Sequence, residues 1–240
     1  MTEPKISAIC ITYGRRRMLE EALESFLRQD YPNKELIILN DEPLVYYEFD
    51  HPQVLIFNYQ ERFTAIGEKR NYATDLSTGD YLLPWDDDDI YLPNRMSFCY
   101  ETLMKGNKHF GHYQHTAVAT HKDCVIKKYL MGSNCMYSRQ AFYDIGRYDE
   151  SIVDYKKVPI GEDHDLANRL KAVHKRSLVP VHYKDIFYIY RWGRSPHLSF
   201  TATMREHQRR TDEESVSEKG SIKLAPVWRQ DYTDILSVRV

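Results

Sequence analysis

The sequence lacks the features that mark secreted, membrane-spanning and nucleic-acid-binding proteins. Its 240 residues contain no run of 18 apolar residues and no apolar segment of the signal-peptide type. Its four cysteines form no Cys-x-x-Cys pair, which favours a reducing compartment. Its 33 basic and 35 acidic residues give a net charge of −2, so no surface for general nucleic-acid binding is expected. We expect a cytoplasmic protein without a transmembrane segment, for which peripheral contact with a membrane stays open.

What the sequence does contain is an alternation of strand and helix patterns. Residues 5–12 are a β-branched apolar run that ends in a turn, and residues 17–29 carry apolar side chains at helical spacing. Residues 35–39 repeat the strand pattern. This order predicts a parallel strand pair with a right-handed crossover. The chain is therefore expected to adopt an α/β fold.

The later elements are predicted in the same way. Further strands are expected at 54–57, 80–85 and, as one or two strands, 179–192. Further helices are expected at 64–76, 92–104, 139–145 and 161–173. Residues 109–129 alternate polar and apolar side chains, which is typical of antiparallel strands or a hairpin. The polar residues 201–240 are expected to form a partly helical excursion or a loose extension.

Four consecutive carboxylates, Asp86 to Asp89, follow the predicted strand at 80–85. Like charges this close are costly without a cation, and Mg²⁺ or Mn²⁺ suits a site with oxygen ligands only. One alternative is a solvated acidic turn in which Asp89 caps the next helix. A calcium loop is disfavoured because Tyr91 and Ser97 stand where it needs Gly and Glu. Ligands bind at the carboxyl ends of strands in open α/β sheets, which favours the metal site.

Seven short motifs in order make the chain resemble the family 2 glycosyltransferases of the GT-A fold, from residue 5 to about residue 192. They are Ile-Thr-Tyr-Gly-Arg at 11–15, Glu-Leu-Ile-Ile-Leu-Asn-Asp at 35–41, Gly-Glu-Lys-Arg-Asn at 67–71, Thr-Gly-Asp-Tyr at 78–81, Asp86 to Asp89 with Ile-Tyr-Leu-Pro, Gly-Arg-Tyr-Asp-Glu at 146–150 and Gly-Glu-Asp-His-Asp-Leu at 161–166. The resemblance implies a Rossmann-like, mostly parallel sheet flanked by helices, with a smaller antiparallel part in the second half.

The resemblance also implies how the chain is divided. A GT-A domain is expected at 1–200, with a nucleotide-sugar-binding half at about 1–105 and an acceptor half at 106–200. Residues 201–240 would be a polar extension that folds over the acceptor, contacts a lipid surface or forms a homodimer. A glycan or a lipid-linked molecule is the expected acceptor.

The donor implied by the resemblance is a nucleotide sugar. Thr12 and Tyr13 would lie against the nucleoside, Asp41 would accept a hydrogen bond from the base, and Arg70 would approach the base or the diphosphate. Taken singly, these residues also fit a strand end, a turn and a charge on a helix surface. A UDP-sugar is favoured, but the altered strand end at 40–43 leaves GDP- and dTDP-sugars open.

The resemblance assigns the metal to an Asp-x-Asp motif. Asp88 would be the ligand, with Asp86 near the ribose or joined to the metal through water, and His197 is a further candidate ligand. The ion, Mn²⁺ or Mg²⁺, would stabilise the charge that grows on the departing diphosphate. Asp87 belongs to the donor site in this assignment, but it stands where the family has a small or neutral residue. The ligand among Asp86 to Asp89 therefore stays open.

Asp163 matches the family's catalytic base, which takes the proton of the acceptor hydroxyl and implies inversion at the sugar carbon. The alternative is structural, because acidic residues in the first turn of a helix are favoured by the helix dipole. The same dipole is expected to lower the pKa of Asp163. Further candidates lie near the sugars. Trp85 would provide an aromatic wall, Gly132, Ser133 and Asn134 would form part of a loop beneath the donor sugar and the acceptor, and Glu162 would be a further sugar contact.

Two other functions remain as alternatives. A sugar nucleotidyltransferase would carry a Gly-rich, basic phosphate loop after the first strand, but Gly14 to Arg17 contains one glycine. A non-catalytic GT-A module would bind a nucleotide or a carbohydrate without turnover. The presence of both the Asp86-x-Asp88 pair and Asp163 argues against this second alternative.

Overall fold

The structure is a computed structural model of the chain. It describes residues 3–114, 116–119, 124–127, 131–153, 160–174, 178–191 and 219–234. His197, a candidate metal ligand, lies outside the described residues, as do residues 201–218 and 235–240 of the predicted extension.

The described residues form strands and α-helices in close alternation. The strands are β1 (Ile6–Thr12), β2 (Lys34–Asn40), β3 (Val45–Glu48), β4 (Val54–Asn58), β5 (Tyr81–Pro84), β6 (Ile90–Tyr91), β7 (Phe110–Gln114), β8 (Thr116–Ala119), β9 (Cys124–Lys127), β10 (Cys135–Ser138), β11 (Leu178–Pro180), β12 (Tyr188–Tyr190) and β13 (Gly220–Lys223). The helices are α1 (Arg16–Leu27), α2 (Ile66–Asp75), α3 (Arg95–Lys105), α4 (Arg139–Asp144) and α5 (Glu162–Val173), with a 3-10 turn at Tyr183–Asp185. Each strand and helix predicted before residue 105 is present, with ends shifted by a few residues.

The main sheet has seven strands in the order β11-β7-β10-β5-β1-β2-β4. Its strands are parallel to their neighbours except at β10, which runs antiparallel to both β5 and β7. Every residue of β1 and β2 is buried, because parallel strands are covered by helices on both faces. The predicted α/β fold with a mostly parallel sheet is confirmed.

Two apolar cores flank this sheet. On one face, α1 and α3 pack through residues such as Leu23, Phe26 and Met96. On the other face, α2, α4 and α5 pack through residues such as Ala73 and Phe142. None of the helices in the described parts of the chain is long and apolar enough to cross a membrane.

A smaller mixed sheet accounts for much of the second half, with the strand order β6-β12-β8-β9. Strands β8 and β9 pair antiparallel, as do β6 and β12. The antiparallel strands predicted at 109–129 are therefore present at 116–127, whereas β7 joins the main sheet as a parallel neighbour of β11.

The described part of the predicted extension is a fixed part of the domain. Strand β13 pairs in parallel with β3. Beyond it, the Trp228 Nε1–H donates to Ser25 Oγ at 2.9 Å, and the Tyr232 hydroxyl donates to Glu21 at 2.7 Å. Residues 219–234 thus lie against β3 and α1 and are not a loose extension, because β3 supplies strand partners and α1 supplies buried polar partners.

Candidate active site

Polar side chains gather where β1, β2 and β5 end. Thr12 is the last residue of β1, Asp41 follows β2, and the acidic tetrad Asp86 to Asp89 follows β5. Lys69 from α2 joins the first two, because its Nζ donates to the Thr12 carbonyl at 2.5 Å and forms an ion pair with Asp41. The parallel strands therefore bring these residues to one edge of the sheet, as open α/β sheets do for their ligands.

Tyr13 and Asp41, the residues predicted to lie beside the nucleoside, form one end of this edge. The Arg62 guanidinium lies 4.2 Å from the centre of the Tyr13 ring, a cation–π distance. The Phe63 backbone N–H donates to Asp41 Oδ2 at 3.1 Å. Burial lowers the pKa of Lys69, although the negative charge of Asp41 counters part of that effect. The loop before α2 therefore closes one side of the cleft around Asp41.

The four carboxylates of the tetrad alternate between the interior and the cleft. Asp87 and Asp89 are 1% exposed, whereas the side chains of Asp86 and Asp88 are 18% and 11% exposed. Arg15 holds Asp87 with two nitrogens, one of them Nε at 3.0 Å, and its third nitrogen lies 3.0 Å from Asp88 Oδ2. Asp86 and Asp88 are therefore the members that face the cleft.

Asp89 has a structural role that differs from the cap considered above. It accepts hydrogen bonds from the Tyr188 hydroxyl at 2.6 Å and from the Arg191 backbone N–H at 3.0 Å. It therefore binds β12 and its exit, and it does not cap α3, whose N-cap is Asn94.

The electrostatics of the two buried carboxylates follow from their burial. Burial raises the pKa of Asp87 to about 6, even though the positive charge of Arg15 opposes that rise. Burial, together with the charges of Asp88 and Asp86, raises the pKa of Asp89 to about 8. For both buried carboxylates, burial and the neighbouring negative charges act in the same direction, towards the neutral form.

Arg70 connects the tetrad to the start of α5. Its guanidinium lies 2.9 Å from Asp86 Oδ1 and 3.1 Å from Glu162 Oε1, and all three side chains are largely buried. Since Glu162 is the first residue of α5, these ion pairs bring Asp163 to the same cleft as the exposed carboxylates.

Asp163 sits in the first turn of α5 against the loop before β10. The backbone N–H of His164 donates to its Oδ1 at 2.7 Å, and His164 Nδ1 lies 3.1 Å from the same oxygen. Burial raises the pKa of Asp163, but the hydrogen bonds from His164 and the charge of Arg70 outweigh it and leave the pKa below its ordinary value. A Cβ on Gly132 would lie 2.5 Å from Asp163 Cγ, so the loop and the carboxylate are in close contact.

The other predicted sugar contacts have internal partners. Ser133 and Asn134 are 3% and 0% exposed; Ser133 Oγ lies 3.1 Å from the Tyr188 hydroxyl, and Asn134 Nδ2 donates to the Tyr113 carbonyl at 3.1 Å. These two residues hold the loop in place, and Gly132 is the member of the loop that contacts Asp163.

Trp85 is not an aromatic wall of the cleft. Its side chain is fully buried, its Nε1–H donates to the Ala22 carbonyl at 3.0 Å, and its ring packs against Phe26 and Tyr91. The prediction for this residue is wrong because the last apolar residue before the tetrad turns into the core instead of the cleft.

The basic residues that hold this site were missed from the sequence: Arg15, Lys69 and Arg191. Arg15 and Lys69 lie inside two of the motifs quoted above, at 11–15 and 67–71. Buried carboxylates need buried cations. In this site Arg15 supplies the cation for Asp87 and Asp88, and Lys69 supplies it for Asp41.

The donor set of the cleft fits a divalent ion that is shared with a substrate. Within the described residues, no group of three or more His, Cys, Asp or Glu side chains is arranged to hold a metal. Asp86 and Asp88 offer two carboxylates, and Mg²⁺ and similar ions bind through one or two carboxylates with phosphate oxygens and water completing the shell. The residues therefore fit a metal bound jointly with phosphates, and not a cage made by protein alone.

A mostly parallel sheet with helices on both faces and a cluster of carboxylates at the carboxyl ends of its strands defines an α/β protein of GT-A type. The family model Glycosyl transferase family 2 matches residues 7–127, and the chain belongs to this family.

Relatives with known names support the same family. The chain is 36% identical over 101 residues to a putative colanic acid biosynthesis glycosyl transferase of Escherichia coli K12, a match that covers 39% of this chain and 36% of that protein. It is 28% identical over 117 residues to the GalNAc(5)-diNAcBac-PP-undecaprenol beta-1,3-glucosyltransferase of Campylobacter jejuni, covering 45% of this chain and 37% of that protein. The matches thus span little more than a third of these relatives' lengths.

A solved structure extends the likeness to most of the chain. The S. aureus TarS 1-349 structure in complex with UDP-GlcNAc has a TM-score of 0.63 at 14% identity, over 88% of this chain and 66% of that chain. At this identity the likeness concerns the fold.

Proposed function

We propose that the chain is an inverting glycosyltransferase that moves a sugar from a nucleoside diphosphate sugar to an acceptor hydroxyl. Mn²⁺ or Mg²⁺ would assist, and Asp163 would act as the general base. One observation carries this proposal: Arg70 pairs with both Asp86 and Glu162, so the exposed carboxylates of the tetrad and the helix start with Asp163 share one cleft.

At the donor end, Asp41 would read the base. A carboxylate can only accept hydrogen bonds, so it selects a base that presents an N–H group, such as the imide of uracil or thymine or the N1–H of guanine. UDP-sugars are favoured among these because the TarS neighbours are described with UDP and UDP-GlcNAc. Thr12 and Tyr13 would border the nucleoside, and Arg70 would approach the diphosphate when its ion pairs rearrange.

At the diphosphate, Asp88 would hold the metal, with Asp86 beside it. The ion, when bound, stabilises negative charge on the departing nucleoside diphosphate. Asp87 and Asp89 would support this arrangement from the interior, since Asp87 is already bound to Arg15, and Asp89 to Tyr188 and the backbone N–H of Arg191.

At the reacting carbon, the acceptor oxygen would form its bond to C1 as the bond from C1 to the diphosphate oxygen breaks. The electron pair of the broken bond leaves with the diphosphate, and the hydroxyl proton passes to Asp163. The low pKa of Asp163 keeps it ionised at neutral pH but makes it a weak base, so the proton would move late, when the attacking oxygen has become acidic.

The proposed class of acceptor rests on the name of a relative and not on any contact within the cleft. The Campylobacter jejuni relative is named for a substrate linked to undecaprenol diphosphate. We propose a lipid-linked or glycan acceptor for this chain as well, with peripheral contact to a membrane. A homodimer stays a prediction.

The test is a titration with nucleoside diphosphates and UDP-sugars, with and without Mn²⁺, followed by thermal unfolding. A ligand that binds only the folded state at about 100 times its Kd stabilises it by about 2.7 kcal/mol. We expect a Mn²⁺-dependent shift with UDP that is lost in Asp88→Ala. Asp163→Asn should keep that shift and lose sugar transfer. No shift with any nucleotide would favour the non-catalytic module.

A further inference from the structure

Arg191 lies directly after β12 and reaches back to the acidic tetrad. It is 5% exposed. Its Nε donates to the Asp88 carbonyl at 2.5 Å, and its backbone N–H donates to Asp89 Oδ1 at 3.0 Å. The residue therefore binds the main chain of the proposed metal ligand and the side chain of the next residue.

Glu21 of α1 binds the other side of the same guanidinium. Its Oε2 accepts from Arg191 at 2.5 Å, and its Oε1 accepts from the Tyr232 hydroxyl at 2.7 Å and from the Arg229 backbone N–H at 3.1 Å. A buried polar chain thus runs from residues 219–234, through Glu21 and Arg191, to the main chain of Asp88.

The positive charge of Arg191 is paired with the carboxylate of Glu21 and not with a carboxylate of the tetrad. Burial lowers the pKa of Arg191, but the negative charge of Glu21 outweighs that effect and raises it. Because the guanidinium is paired with Glu21, its contribution beside Asp88 is mainly the hydrogen bond to the carbonyl. That bond fixes the peptide plane after Asp88, and with it the direction of the carboxylate relative to the inward-facing Asp89.

On the basis of the function proposed above, we propose that Arg191 is a positioning residue that aims the Asp88 carboxylate into the cleft, and that the Tyr232 hydroxyl and the Arg229 backbone N–H hold Arg191 in place through Glu21. Arg191 touches neither the donor nor the acceptor in this arrangement. Its effect should therefore appear where the geometry of Asp88 matters, in nucleotide binding that depends on the metal.

The experiment measures the Kd of UDP by calorimetry, with Mn²⁺ and without it, on the full chain. Losing a residue that orients a metal ligand typically weakens metal-dependent binding about tenfold or more. We expect Arg191→Met to raise the Kd of UDP about tenfold with Mn²⁺ and to leave the Kd without Mn²⁺ within about twofold. Arg191→Lys keeps the charge and should restore part of the loss. Tyr232→Phe removes one bond to Glu21, which keeps the bond from the Arg229 backbone N–H, and should raise the Kd with Mn²⁺ by less than Arg191→Met does.

Two further variants separate positioning from general loss of stability. Arg191→Met takes from the buried Glu21 the nearer of its two cations and leaves Arg229 at 3.8 Å, so the double variant Glu21→Gln with Arg191→Met removes both charges of the close pair and should fold while keeping the weaker Mn²⁺-dependent binding. Trp228→Phe breaks the hydrogen bond to Ser25, lowers the unfolding temperature and should leave the Kd unchanged.

Three results would overturn the inference. The first is Mn²⁺-dependent UDP binding that survives within about twofold in both Arg191 variants. The second is an equal loss of binding in Trp228→Phe. The third is a wild-type chain that binds no UDP under either condition, which would overturn the proposed function first and the role of Arg191 with it.

Discussion

Gly132 offers the sharpest test of the role of Asp163. In Gly132→Ala the new Cβ would lie 2.5 Å from Asp163 Cγ and 2.9 Å from the Asp163 backbone carbon, whereas ordinary contacts begin at 3.4 Å. The loop and the carboxylate must separate by about 1 Å, and backbone on both sides makes that shift hard to absorb. A misplacement of about 1 Å at a reacting group can cost about 100-fold in rate. We therefore expect the turnover rate to fall about 100-fold while the Kd of UDP changes little.

The assay is the initial rate of UDP release from a UDP-sugar, read beside the Kd of UDP and the unfolding temperature. Gly106→Ala is the control for lost stability, since a Cβ there would meet the Thr102 and Leu103 carbonyls at 3.4 and 3.5 Å, while the φ of −100° and ψ of −132° lie outside the backbone regions that alanine prefers. A Gly132→Ala chain that turns over like Gly106→Ala would refute the placement of Asp163 as the base.

Two further predictions concern stability. Arg70→Met should lower the free energy of unfolding by about 3 kcal/mol, because it leaves Asp86 and Glu162 largely buried without their cation; a loss below about 1 kcal/mol in urea unfolding would contradict the bridge. Glu35→Gln should cost about 1 kcal/mol at pH 7, because Ser7 Oγ donates to Glu35 at 2.6 Å. Burial raises the pKa of Glu35, but its hydrogen bonds lower it below the ordinary value, so the stabilisation is present above about pH 4.3 and fades below it. Urea unfolding at pH 7 and pH 3.5 checks this, and an equal cost at both would refute it.

The strands and helices of the first half could be predicted because the residues within each element are enough to indicate which of its faces are buried. Strands β1 and β2 are covered on both faces and read as continuous apolar runs, and α1 shows a clear apolar stripe. Strand β10 could not be predicted, because Cys-Met-Tyr-Ser has no strand pattern of its own and becomes a strand by pairing with β5 and β7. Residues 219–234 were missed for the same reason, since their partners β3 and α1 lie far away in the sequence.

The candidate site likewise has features that adjacent residues reveal and features that depend on contacts between residues far apart in the sequence. The tetrad was located from four adjacent letters, but its division into inward and outward carboxylates depends on Arg15, Tyr188 and Arg191, which no local pattern connects to it. The prediction for Trp85 was wrong because the sequence does not show in which direction an aromatic side chain beside the tetrad points. In the structure its indole N–H donates to the Ala22 carbonyl and not to a ligand.

The reversed direction of β10 decides which segments of the chain lie beside the end of β5. Because β10 is antiparallel to β5, its first residues, not its last, lie beside the end of β5, and the loop with Gly132 arrives there from the opposite direction. Helix α4 follows β10 directly and so starts at the far edge of the sheet. Had β10 been parallel, α4 would have begun at the end of the sheet where the tetrad lies. The reversal leaves that end to the loop with Gly132 and to the start of α5, so under the proposed function the acceptor would have to approach Asp163 beside these two segments.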